Sequence, residues 1–122
     1  MSLPIRALRL DPDGNLRRVA LAADTEGSHL RSMYQQIGCE LVECVGLRED
    51  LDMWCDEEGK LNGSPPNIGA SLVLQRFGIP DLIVGTALFT GGPDEEGGLT
   101  DLRGETAAEI DAMAHSGRGV PR

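Results

Sequence analysis

Aromatic side chains are scarce here: Tyr34, Trp54, Phe77 and Phe89 are all that 122 residues carry. Any core must therefore be built mainly from Leu, Val, Ile and Ala, which suits thin layers of helix on sheet. Long apolar runs are missing too. No stretch reaches the eighteen or so residues of a membrane span, and the N-terminus has no apolar signal core, so a cytoplasmic protein without a membrane partner is expected. Bases are outnumbered, 11 Lys and Arg against 20 Asp and Glu, for a net charge of −9. Such a balance repels phosphates and disfavours direct nucleic-acid binding.

Motifs for chemistry are absent as well. Cys39, Cys44 and Cys55 are odd in number and lack a C-x-x-C pair, while His29 and His115 fall in separate helical segments. Buried, reduced thiols are the expectation, with no metal and no cofactor. Ser28, Ser32, Ser64 and Ser71 lack the G-x-S-x-G elbow of a nucleophilic serine. The loop from Gly91 to Gly98 holds three acids, which would repel a phosphate. The chain reads as a non-enzyme.

What is present is a compact alternation of elements, and 122 residues are enough for one domain that buries roughly two-thirds of its unfolded surface. Two apolar segments, 5–10 and 16–21, flank Asp11-Pro-Asp-Gly-Asn15, a turn in which Pro presets φ and Gly accepts a positive one. Leu30, Met33, Tyr34 and Ile37 follow helical spacing after Ser28 as N-cap, and Gly38 ends that helix. A strand is expected over 40–45. The next alternates, Leu51, Met53 and Cys55 to one side and Asp50, Asp52, Trp54 and Asp56 to the other. A turn at Glu57-Glu-Gly59 leads to a short return at Lys60-Leu61, then a Pro-stiffened loop, with Asn67 capping a helix that Phe77 to Pro80 closes. The segment 82–89 is apolar on both faces, hence a central strand. Thr100 is expected to cap a last helix whose stripe is Leu102, Ile110 and Met113. The reading is a single α+β domain over 4–115, a mostly antiparallel five- to six-stranded sheet with two or three helices, and a disordered tail over 116–122.

Three candidate sites stand out. Residues 40–58 hold eight acids against Arg48 alone, and Asp50, Asp52 and Asp56 would share one face of a regular strand. Carboxylates two residues apart on a strand stand roughly 7 Å apart and diverge, so they are expected to splay into water rather than gather a cation. The loop from Asn62 to Asn67 presents amides on a rigid frame, and Trp54 could stack beneath a ligand held there or anchor a partner. Against that stand plainer roles, Asn67 as helix cap and Trp54 under a helix. The four arginines Arg6, Arg9, Arg17 and Arg18 of the first hairpin are the supply of positive charge for an anion.

In combination, the helix ending at Ile37-Gly38, the strand Leu41-Val-Glu-Cys-Val45, Asp56-Glu-Glu-Gly-Lys-Leu61, Pro65-Pro-Asn67, Asp81-Leu-Ile-Val-Gly-Thr86 and Leu99-Thr-Asp-Leu102 resemble a known family. It is the one catalogued as domain of unknown function 3846, small proteins of phages, plasmids and their bacterial hosts. The resemblance spans about residues 5–114 and implies a mobile-element context and a cytosolic accessory role. This chain departs from the pattern in running longer over 72–79 and in carrying cysteines at apolar strand positions. The expected function is thus a non-enzymatic accessory protein acting through its acidic surface on a host protein with a basic surface. The alternative is a small-ligand, nucleotide-type binder using Trp54 and the loop from Asn62 to Asn67. An open edge beside the first hairpin leaves two copies able to pair as a homodimer.

Overall fold

The computed structural model describes residues 3–116. Its first hairpin, β1 (Ile5–Leu10) and β2 (Leu16–Leu21), closes as the turn residues dictate. Gly14 takes φ 92°, the Asp11 and Gly14 amides bond across the turn, and the Asp13 carboxylate accepts the Asn15 amide. Helix α1 (Leu30–Ile37) begins one residue later than Ser28 alone would place it. The Ser28 hydroxyl still accepts the Leu30 amide. Gly38 ends the helix in the left-handed conformation, its amide on the Tyr34 carbonyl.

Strand β3 covers Val42–Arg48, shifted from the expected 40–45, and β4 covers Leu51–Asp56. They pair antiparallel with an irregularity between Gly46 and Arg48. The return strand expected at Lys60-Leu61 does not form. The chain winds through turns held by the Asn62 amide on Glu58 and the Ser64 amide on Gly59, because β4 finds its second partner elsewhere. That partner is β5 (Ala87–Thr90), reached after α2 (Ile68–Arg76). Strand β5 is central and buried throughout, but only four residues long. Gly85 at φ 77° breaks the run before it, leaving Val84 in a lone bridge with Pro66.

Helix α3 spans Gly104–Ala114, three residues later than a Thr100 cap would start it. Thr100 instead donates its hydroxyl to the Gly92 carbonyl, 2.5 Å away, and so fastens one end of the long acidic loop. The sheet order is β2-β1-β5-β4-β3, every neighbouring pair antiparallel. The described residues form an α+β domain of five strands and three helices. The tail expected over 116–122 lies, Ser116 apart, outside the described residues.

Strand alternation divides the core in two. Leu8, Leu10, Leu51, Met53, Ala87 and Phe89 meet Val73, Leu74 and Ile110 of α2 and α3 on one face. Ala7, Leu21 and Leu88 meet Met33 of α1 on the other. With no aromatic but Phe89 fully buried, close aliphatic packing carries the domain. No helix among the described residues is long and apolar enough to cross a membrane.

Candidate binding surface

The three aspartates expected to share one face of β4, Asp50, Asp52 and Asp56, go to three separate environments. Asp50 precedes the strand, in the turn from β3, and is paired with Arg48 at 2.5 Å. Arg48 also reaches Glu109 of α3 at 3.1 Å, tying that helix to the turn. Asp56 closes the strand by accepting the Glu58 amide at 2.8 Å and the Asn62 side chain at 3.4 Å. Asp52 departs from the expectation of a solvated face, being only 8% exposed. Its strand has neighbours on both sides, and its side chain lies on the α1 side with the Cys44 thiol donating to it. Burial pushes the Asp52 pKa up, and the thiol bond offsets this only in part. Among the described residues, no three His, Cys, Asp or Glu side chains gather as a metal site.

Trp54 and the loop from Asn62 to Asn67 are not brought together. The half-buried Trp54 packs on the α1 side, and its ring N–H donates to the Thr90 hydroxyl at 3.0 Å. Asn67 is fully buried at the head of α2, on the opposite face. Its side-chain oxygen accepts the Ala70 amide at 3.0 Å. Its NH2 donates to the carbonyls of Leu10 and Gly85 at 2.9 and 2.8 Å. Both amide hydrogens are thus used inside the fold. Exposed Asn62 donates one N–H of its side-chain amide to Asp56.

What the fold does assemble is the other end of the β3–β4 hairpin. A hollow of about 210 Å³ is walled by Cys55, Leu82, Ile83 and Val84 and ringed by Glu43, Asp56, Glu57 and Asp81. Lys60 is the one base in that ring, held by Asp81 at 3.1 Å. Three leucines stand exposed on the same segments: Leu41 beside Glu57, Leu61 beside Lys60, and Leu82 beside Asp81. Asp81 and these leucines were invisible as a group in the sequence. They lie on three segments about forty residues apart at most, joined by the Glu57 amide on Leu41, by Lys60 on Asp81 and by the close approach of Gly59 to Val84.

The adjoining β3 is an edge strand. The Glu57 amide bonds the Leu41 carbonyl, so alternation turns the backbone groups of Leu41, Glu43 and Val45 toward β4. Those of Val42, Cys44 and Gly46 then point away from the sheet, with no strand among the described residues to receive them.

The thiols are poorly disposed to ionise. Burial pushes Cys55 up to about 12, with Glu43, Asp56 and Asp81 adding to it. Cys44 is exposed rather than buried as expected, yet burial of its sulfur and the Asp52 carboxylate push it up to about 11. Cys39 is raised by burial and by Asp56.

A second constellation, unmarked in the sequence, sits across the sheet. The Asp11 carboxylate accepts Arg9 at 2.8 Å, Thr86 at 2.9 Å and Arg17 at 3.3 Å. Burial works to raise its pKa, but those bonds together hold it below the usual carboxylate value.

The five-stranded sheet flanked by α1 on one side and α2 and α3 on the other defines a small α+β protein without a gathered catalytic set among the residues above. The chain belongs to the family described as Domain of unknown function (DUF3846), whose model matches residues 5–115. No curated protein and no solved structure matches it.

Proposed function

We propose that this chain is a non-enzymatic accessory binding protein of phage or plasmid origin that docks the acidic end of its β3–β4 hairpin on a basic surface of a host protein. The observation that carries the reading is the meeting of Glu43, Asp56, Glu57 and Asp81 with exposed Leu41, Leu61 and Leu82, beside an unpaired strand edge. Acidic groups alone would be a solvated face. Apolar side chains among them supply area that a partner can desolvate, and the charges select a basic partner and speed encounter. The mobile-element origin rests on the family resemblance. The raised thiol pKa values and the dispersed aspartates support a role without covalent chemistry.

The test compares the natural chain with a variant carrying Glu43→Lys, Glu57→Lys and Leu82→Ser, all at exposed positions. Host lysate is passed over each at moderate salt. A basic protein retained by the first, lost by the variant and released by raised salt is the expected result. Equal recovery on both, or nothing above background, overturns the proposal.

A further inference from the structure

We infer that the groove between β2 and the start of α3 is a separate binding site for a small amphipathic anion, one acidic head on a short apolar body. The β1–β2 register sets Arg6 opposite Ala20 and Leu8 opposite Arg18. Arg6 and Arg18 are therefore diagonal neighbours on one face of the hairpin, within reach of each other's long side chains. The same hairpin carries a second arginine pair on its other face, Arg9 directly opposite Arg17. There the fold supplies the counter-charge, since Asp11 binds both guanidinium groups.

No such carboxylate serves Arg6 and Arg18, neither of which has an ion pair among the described residues. The adjacent Asp101 accepts the Arg6 backbone amide at 2.7 Å, not its guanidinium. Two adjacent like charges without a counter-ion repel, and an external anion relieves that repulsion with charge-assisted, forked hydrogen bonds.

The space beside them is shaped for more than an inorganic ion. A groove of about 390 Å³ runs between the two arginines, floored by buried Leu8, Leu102 and Ala107 with exposed Ala20 on its rim. Small Ala20 and Ala107 leave the room, and the volume lies in the range of pockets for compact organic ligands, roughly 300–1,000 Å³. Strand β2 is the edge of the sheet opposite β3, so this site and the acidic hairpin end are separate surfaces that stand or fall independently.

The full chain is titrated with octanoate, octylamine, octanol and inorganic phosphate, read by thermal shift and calorimetry. Octanoate is expected to raise Tm in a dose-dependent manner, with little or no shift from the other three. Arg6→Gln and Arg18→Gln are each expected to weaken octanoate by about tenfold, the loss of one charge-assisted bond. Ala20→Phe, on the exposed rim, fills the groove and abolishes binding. Should that variant fold poorly, Arg18→Gln at an exposed position decides. No shift with octanoate, an equal shift with octylamine or octanol, or octanoate binding undiminished in Arg18→Gln overturns the site. A shift from phosphate as large as from octanoate overturns its amphipathic character.

Discussion

Asn67 is the position where a structural role and a ligand-binding role make opposite predictions. Its side chain caps α2 through one acceptor bond and ties that helix to Leu10 and Gly85 through two donor bonds. Losing the cap costs about 1 kcal/mol, and losing each of two buried donor bonds about another 1 kcal/mol. Asn67→Ala should therefore destabilise by about 3 kcal/mol, a large share of the roughly 5–15 kcal/mol of an ordinary domain. Asn67→Asp is the sharper test. It is nearly isosteric and keeps the acceptor toward Ala70, yet it sets a carboxylate oxygen against two carbonyls where an NH2 had donated. At neutral pH it should cost more than Asn67→Ala despite changing fewer atoms.

The penalty also has a pH signature. A carboxyl buried against carbonyls has its folded-state pKa raised above the unfolded value, so its deficit is greatest at neutral pH and shrinks on acidification, when the protonated group can donate one bond. The assay is urea unfolding by circular dichroism at pH 7 and pH 5, with a constant denaturant slope taken to mean that only stability has changed. Asn67→Asp lying within about 1 kcal/mol of the natural chain at pH 7, or showing no relative gain at pH 5, would refute the argument that this amide is spent inside the fold.

Further outcomes follow from close packing and from charge. Gly92→Ala would drive a methyl group into the Glu49 carbonyl and should cost about 3 kcal/mol, as overpacking against backbone does. Gly38→Ala faces open space at φ 80° and should cost about 1 kcal/mol of left-handed strain; thermal unfolding of the pair checks the order. Asp11 has a depressed pKa, so its stabilisation is present above the ordinary carboxylate range and lost as pH falls through its folded value. Asp11→Asn should then be the less stable chain at pH 7, and the gap should narrow as pH falls below the ordinary carboxylate range in acid titrations of stability. Cys44 is exposed but should react slowly with iodoacetamide at pH 8. Asp52→Asn should speed that reaction by removing the charge that disfavours the thiolate, which mass spectrometry of the labelled peptide would show.

Much of the fold was legible because local rules and tertiary packing agree. The Asp11 to Asn15 turn, the stripe of α1, the Gly38 stop and the alternation of β4 each follow from bonding or steric demands within a few residues. The misplacements occur where a distant partner outbid the local preference. Thr100 has the side chain of a helix cap, but the Gly92 carbonyl claims it, and α3 starts at Gly104. Leu61 lies where a return strand was expected, but β5 takes the place beside β4 and leaves Leu61 85% exposed. The apolar run over 82–89 is a strand for only its last part, since Gly85 turns left-handed before it.

The candidate surfaces were legible only as ingredients. The acid-rich middle was plain, yet strand alternation alone could not say that Asp52 would be enclosed while Asp81 joined Glu43 and Asp56. Four arginines stood out on the first hairpin, yet only the register and the position of Asp11 separate a neutralised pair from an unneutralised one.

Composition and periodicity were enough to establish a small aliphatic α+β domain with an acidic middle, because burial pattern and turn chemistry act over a few neighbouring residues. The choice of neighbour across the sheet was left to the three-dimensional packing. It seats β5 between β1 and β4, makes β2 and β3 the edges, and thereby decides which charges are buried, which are paired and which face outward. Such choices join residues dozens of positions apart, and their energies exist only once the chain has closed on itself.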